Sequence, residues 1–194
     1  GSEMCIRDRV NVSNFAEDTQ IKEEQFFYRN CMKELFDPKK FLIQGYKGTG
    51  KTYLYKALAD KKISANIQKW SGTQKHDVLD PIFVNILPTN EMALVFDNIR
   101  YAAIEEPEYY FNTFWQIYTW NALLLCPEFE EIREKSELSD YVKPLDGAGF
   151  AKEALIRIDE LISLGVKALV VIEKDILHLN EYLQQQQKRL FVLY

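Results

Sequence analysis

The chain has 194 residues, 47% hydrophobic and 13% aromatic, which is enough apolar material for one sizeable core and excludes a disordered chain. A net charge of −5 argues against a general affinity for nucleic acid. Cys5, Cys31 and Cys126 form no C-x-x-C pair and His76 and His178 lie far apart, so neither a disulfide framework nor a zinc site is suggested, and a reducing cytoplasm fits.

In chain order, residues 1–9, GSEMCIRDR, read as a leader foreign to the fold. Gly-Ser is a common cloning scar, the rest resembles a translated sequencing adaptor, and no apolar stretch marks a signal peptide. Over 23–36, Phe27, Cys31 and Leu35, with Phe26, Met32 and Phe36, recur at intervals of three and four and predict an amphipathic helix, ended by Asp37-Pro38. Phe41, Leu42 and Ile43 form an apolar run that reads as a strand. There follows a complete G-x-x-x-x-G-K-T, from Gly45 to Thr52, and then a helix over 51–60 with Leu54, Ala57 and Leu58 inward.

That order of strand, glycine-rich loop and helix has a chemical reason. Binding phosphates takes several backbone N–H groups aimed at one point, and a tight loop entering a helix N-terminus supplies them. Gly45, Gly48 and Gly50 permit the close approach that a Cβ would block. Lys51 is expected to place its charge on the β and γ phosphates as the catalytic cation, with the Thr52 hydroxyl on Mg²⁺. The expected nucleotide-binding set is Gly45, Tyr46, Lys47, Gly48, Thr49, Gly50, Lys51, Thr52 and Tyr53.

Beyond the loop, Ile63, Ala65 and Ile67 alternate with polar residues as a short strand does, and 71–76 is a polar loop. Asp80-Pro81 has the form of an N-cap and first helical residue, with Ile82, Phe83, Ile86 and Leu87 giving a turn or two of helix. From Glu91, Met92, Val95, Phe96, Ile99, Ala102 and Ala103 make a helical stripe. The string Ala93-Leu94-Val95-Phe96-Asp97 imitates a strand ending in a metal-holding acid, but on that helix Asp97 faces away from the stripe.

After Pro107, residues 109–126 carry no charge but include Asn112, Thr113, Gln116, Thr119 and Asn121, which would lack partners in lipid, so a buried core helix is expected rather than a membrane span. Its aromatic residues are expected to pack in a core, since no basic residue within the stretch would hold nucleic-acid phosphates. Residues 128–138 read as a solvated helix with Glu131 and Lys135 paired, and 141–149, with Pro144, Gly147 and Gly149, as a loop. A helix over 150–164, with Ala154, Leu155, Ile158, Leu161 and Ile162 on one face, stops at Gly165. Leu169, Ile172, Ile176, Leu179 and Leu183 then step by three and four, a second helix over 166–187. Residues 189–194, RLFVLY, have the form of a parallel strand buried on both faces.

The loop GYKGTGKT resembles the Walker A motif of P-loop nucleoside triphosphatases and looks most like bacterial AAA-like and STAND-like ATPases. The resemblance implies an α/β fold of P-loop type over 10–194: a parallel sheet flanked by helices, with a helical insertion over about 105–187 before the last strand. It implies Mg·ATP as ligand, hydrolysed to drive a conformational or assembly switch, with a protein partner or self-association through the helical region and no membrane. The preference for ATP is likewise implied by the resemblance, and no N-K-x-D guanine signature is present. The acid that completes such a site is expected beyond Tyr194, so that the chain is an N-terminal fragment, with Asp97 as the alternative. Two other classes stay open: a P-loop phosphotransferase, with Arg133 and Arg157 on candidate lids, and a nucleotide-gated interaction module without significant turnover.

Overall fold

A computed structural model describes residues 21–37, 42–46, 48–72, 80–86, 104–144 and 150–193, the side chains of 25, 31 and 150–152 apart. The fold is mixed α/β, mostly helical with a small parallel sheet, and divides into two compact units, Gly1–Val78 and Leu79–Tyr194.

In the first unit, two single 3-10 turns, Glu23–Gln25 and Asn30–Glu34, precede helices α1 (Lys51–Ala59) and α2 (Lys61–Ser71). Asp60 joins the helices by ending one and capping the other. Its N–H donates to the Lys56 carbonyl at 3.1 Å, and its carboxylate accepts from the Lys62 and Ile63 amides at 2.9 and 3.0 Å. Among the described residues of this unit, Phe26, Met32, Leu35, Phe36, Ala57, Leu58, Ile63 and Ile67 are the buried apolar ones.

Three expectations fail here. The helix over 23–36 is interrupted, because Phe26 and Arg29 are extended; Phe26 is buried while Phe27 beside it is exposed, as neighbours on extended chain are. Leu42 and Ile43 join no strand and are 47% and 50% exposed, and among the described residues of this unit there is no strand for them to pair with. Phe41 lies outside the described residues. The alternation of Ile63, Ala65 and Ile67 belongs to α2, since residues four apart share a helix face just as they share a strand face; Ile63 and Ile67 are buried and Ala65 is exposed.

The second unit runs β1 (Asp80–Asn85), α3 (Pro107–Leu124), α4 (Glu130–Lys135), α5 (Phe150–Ser163), α6 (Val166–Gln185) and β2 (Lys188–Leu193). The strands pair in parallel from Asp80↔Lys188 to Asn85↔Leu193. Ile82 and Val84 are buried in the helical core and Leu190 and Val192 pack against it, while the Phe83 and Phe191 rings, directly opposite in register, stack at 5.3 Å. The helix expected to start at Asp80-Pro81 is therefore a strand. Its residues are buried alternately, a period-2 pattern that pairing with β2 supplies. β2 is the expected parallel strand, but it is half-buried along its length rather than buried on both faces.

Helix α3 is the expected core helix. Pro107 takes the first helical position, and Phe114, Ile117, Tyr118, Trp120, Asn121 and Leu124 form the buried stripe. Each such large apolar side chain stabilises the fold by about 1.5–3 kcal/mol. Among the described residues no helix is long and apolar enough to cross a membrane. On α5, Ala154, Ile158 and Leu161 are buried as expected; on α6, Ile172 and Leu179 are, together with Ala168 and Asp175. The Glu131–Lys135 pair on α4 forms at 2.5 Å. The expected helix over 91–103, with Asp97, lies outside the described residues, as does the end of the loop over 141–149.

Candidate functional site

The glycine-rich loop is a turn closed on one carbonyl. Tyr46 O accepts from the Thr49 amide at 3.2 Å, the Thr49 hydroxyl at 2.9 Å and the Lys51 ammonium at 3.1 Å. The same ammonium also donates to the Gly45 carbonyl, so the side chain folds back over the loop it follows. Gly48 and Gly50 have φ of +85° and +86°, values that L side chains rarely adopt. A Cβ on Gly45 would come within 2.5 Å of Thr49 Oγ1, so glycine there is a matter of close approach.

Gly50 is the N-cap of α1, which places Lys51, Thr52 and Tyr53 in its first turn, where backbone N–H groups have no intrahelical partner. The structure thus brings Gly45, Tyr46, Gly48, Thr49, Gly50, Lys51, Thr52 and Tyr53 into one contiguous curl. Lys47 lies outside the described residues. The described loop residues before α1 are all exposed, with a positive charge at their centre. Thr52 supplies one hydroxyl, suited to a Mg²⁺ ion that arrives with its own phosphate oxygens rather than to a free ion. Among the described residues no group of three or more His, Cys, Asp or Glu could hold a metal.

Tyr53, at the first turn of α1, belongs to a run of rings of which the sequence did not single out Tyr28 and Trp70. Tyr53 stacks on Phe26 at 6.0 Å with an interplanar angle of 11°, Phe26 meets Tyr28 edge-on at 5.2 Å, and Tyr28 leans on Trp70 at 5.4 Å. Partial burial raises the Tyr53 phenol above its ordinary pKa. Their wide and irregular spacing carries no local signal, because the turn 23–25 and the end of α2 meet only in the folded unit.

The other polar centres lie in the second unit. Asp175, 3% exposed on α6, accepts from the Trp120 indole N–H at 2.9 Å and the Ser136 hydroxyl at 2.6 Å. The Tyr110 hydroxyl donates to Asp159 at 2.6 Å; burial and then this bond raise its pKa. Cys126, pushed up to about 11 by burial and by donating to Glu128 at 2.8 Å, is a poor nucleophile at neutral pH. Arg133 donates to the Leu124 carbonyl and to Glu130, and Arg157 to the Pro144 carbonyl, so both guanidinium groups bind neighbouring parts of their own unit. His178 is exposed on α6, and His76 lies outside the described residues. A shallow groove of about 450 Å³ at the start of α3 is lined by Glu106, Pro107, Glu108, Tyr109 and Asn112, whose carboxylates suit no phosphate. Neither a protein-family model, nor a curated protein, nor a solved structure matches the chain.

Proposed function

We propose that the chain is a Mg·ATP-binding protein whose phosphates sit on the loop from Gly45 to Thr52, within a P-loop type of α/β fold, and that this binding serves ATP hydrolysis. The observation that carries the reading is the convergence of Lys51 on its own loop: the ammonium already lies against the carbonyls of Gly45 and Tyr46, at the mouth of the turn that leads into α1. A triphosphate draws that ammonium from two neutral carbonyls to several anionic oxygens, and charge-assisted hydrogen bonds are roughly twice as strong as neutral ones. The amides of the first turn of α1 add donors and the positive end of the helix dipole. In the hydrolytic step Lys51 would offset charge gathering on the transferring phosphoryl group, Thr52 would hold the Mg²⁺ that the nucleotide brings, and an acidic residue elsewhere would orient the attacking water.

Titration calorimetry of Lys51→Ala against Mg·ATP tests the reading. Affinity is expected to fall by about tenfold or more, since a charged hydrogen-bond partner contributes about 1.5–3 kcal/mol, while circular dichroism stays that of the parent. Equal affinities in parent and variant would exclude the loop as the phosphate site.

A second reading, the nucleotide-gated interaction module, is favoured by one observation. Val166, Val170 and Leu177 are exposed along α6 at helical spacing, an apolar stripe of the kind that a partner or a second copy covers. Turnover separates the two: a module binds ATP and leaves it intact.

A further inference from the structure

We propose that Tyr28 and Trp70, backed by Phe26, form a stacking surface for the base of the nucleoside triphosphate held on the loop; this rests on the phosphate-loop reading above. Three observations converge on it. First, the rings are continuous with the loop's own helix: Tyr53, immediately after Thr52, stacks on Phe26, which meets Tyr28, which leans on Trp70. The rings therefore join the helix whose first turn carries Lys51 and Thr52.

Second, the inner ring is buried and the outer ones are not. Phe26 is 6% exposed and belongs to the small core, whereas Tyr28 and Trp70 are 37% and 36% exposed. A core alone does not require two large half-exposed rings side by side. Third, what now covers the Trp70 ring is easily displaced: the Lys33 ammonium lies over it at 5.1 Å, at the end of a long exposed side chain. An exposed cation–π contact is weaker than the stack of a base on an aromatic ring.

The surface recognises ring faces rather than base edges. One helical turn before Trp70, the Asn66 amide already donates to Glu23 at 2.5 Å. Every base has a π-face, so ATP and GTP are expected to bind alike, CTP more weakly because its ring is smaller, and inorganic tripolyphosphate, with no ring, weakest.

The experiment is calorimetry of the full chain with ATP, GTP, CTP and tripolyphosphate in Mg²⁺, for the parent, Tyr28→Leu, Trp70→Leu, Trp70→Phe and Lys51→Ala. The Leu variants keep apolar bulk and remove the ring; they are expected to lose about tenfold in affinity for the nucleotides and to bind tripolyphosphate like the parent. Trp70→Phe keeps a ring face and most of the ATP affinity. A parent that binds tripolyphosphate as tightly as ATP overturns the base surface while the phosphate site stands. Leu variants that lose both ligands equally show that the rings only support the loop, and Leu variants unchanged for ATP show no contact; either result overturns the proposal. Lys51→Ala reports on the phosphate site separately, and a parent that binds none of the four ligands overturns both.

Discussion

Gly50 carries the chain from the loop into α1 at φ of +86°, with nothing within 4 Å of where a Cβ would stand. Space is therefore not the constraint and backbone conformation is, which makes Gly50→Ala a clean probe. An L residue held in the left-handed region costs about 1–2 kcal/mol, and the chain can relieve that only by turning the peptide units between the loop and α1. The expected outcome is a lowered melting temperature together with weaker Mg·ATP binding. Gly165 offers the control, because it has φ of +59° and similarly open surroundings before α6 in the second unit. Gly165→Ala is expected to lower stability and leave affinity alone. If both variants bind ATP like the parent, the left-handed turn at Gly50 has no part in the site.

At the scale of elements, what was legible in the sequence was whatever depends on neighbours within one or two turns. The glycine-rich loop with α1 behind it, the core helix α3 and the successive helices α5 and α6 all came from local periodicity and stop signals, Gly165 among them. Asp80-Pro81 misled for the same reason. An acid before a proline is a local helix-start signal, whereas β1 is a strand because of β2, far along the chain. Asp175 was hidden because a carboxylate is expected on the solvent face of a helix, and only the fold supplies the Trp120 and Ser136 donors that let it stay buried. This carboxylate ties α6 to α3 and to the residue after α4. Asp175→Ala leaves two buried donors without an acceptor, each costing about 1–3 kcal/mol, while Asp175→Asn retains one acceptor oxygen and is expected to cost less. Urea denaturation monitored by circular dichroism measures both. A loss smaller for Ala than for Asn would mean that the acceptor role of Asp175 contributes little.

At the scale of the whole molecule, the described residues of the two units hold two different kinds of structure: a small one with the glycine-rich loop and the rings, and a larger one with the sheet and the long helices. Among the described residues the smaller unit has the fewer buried apolar side chains, so its local opening free energy is expected to be the lower of the two. A ligand that binds only the closed form adds RT ln(1 + [L]/Kd), about 2.7 kcal/mol at a hundredfold excess over Kd, and adds it to the openings that break the site. Hydrogen exchange read by mass spectrometry resolves this along the chain. Saturating Mg·ATP is expected to slow exchange in peptides covering 48–71, where α1 and α2 lie, and to leave α3 and α6 nearly unchanged. Slowing confined to α3 and α6 would place the nucleotide away from the loop, and equal slowing everywhere would mean that the two units open as one cooperative body.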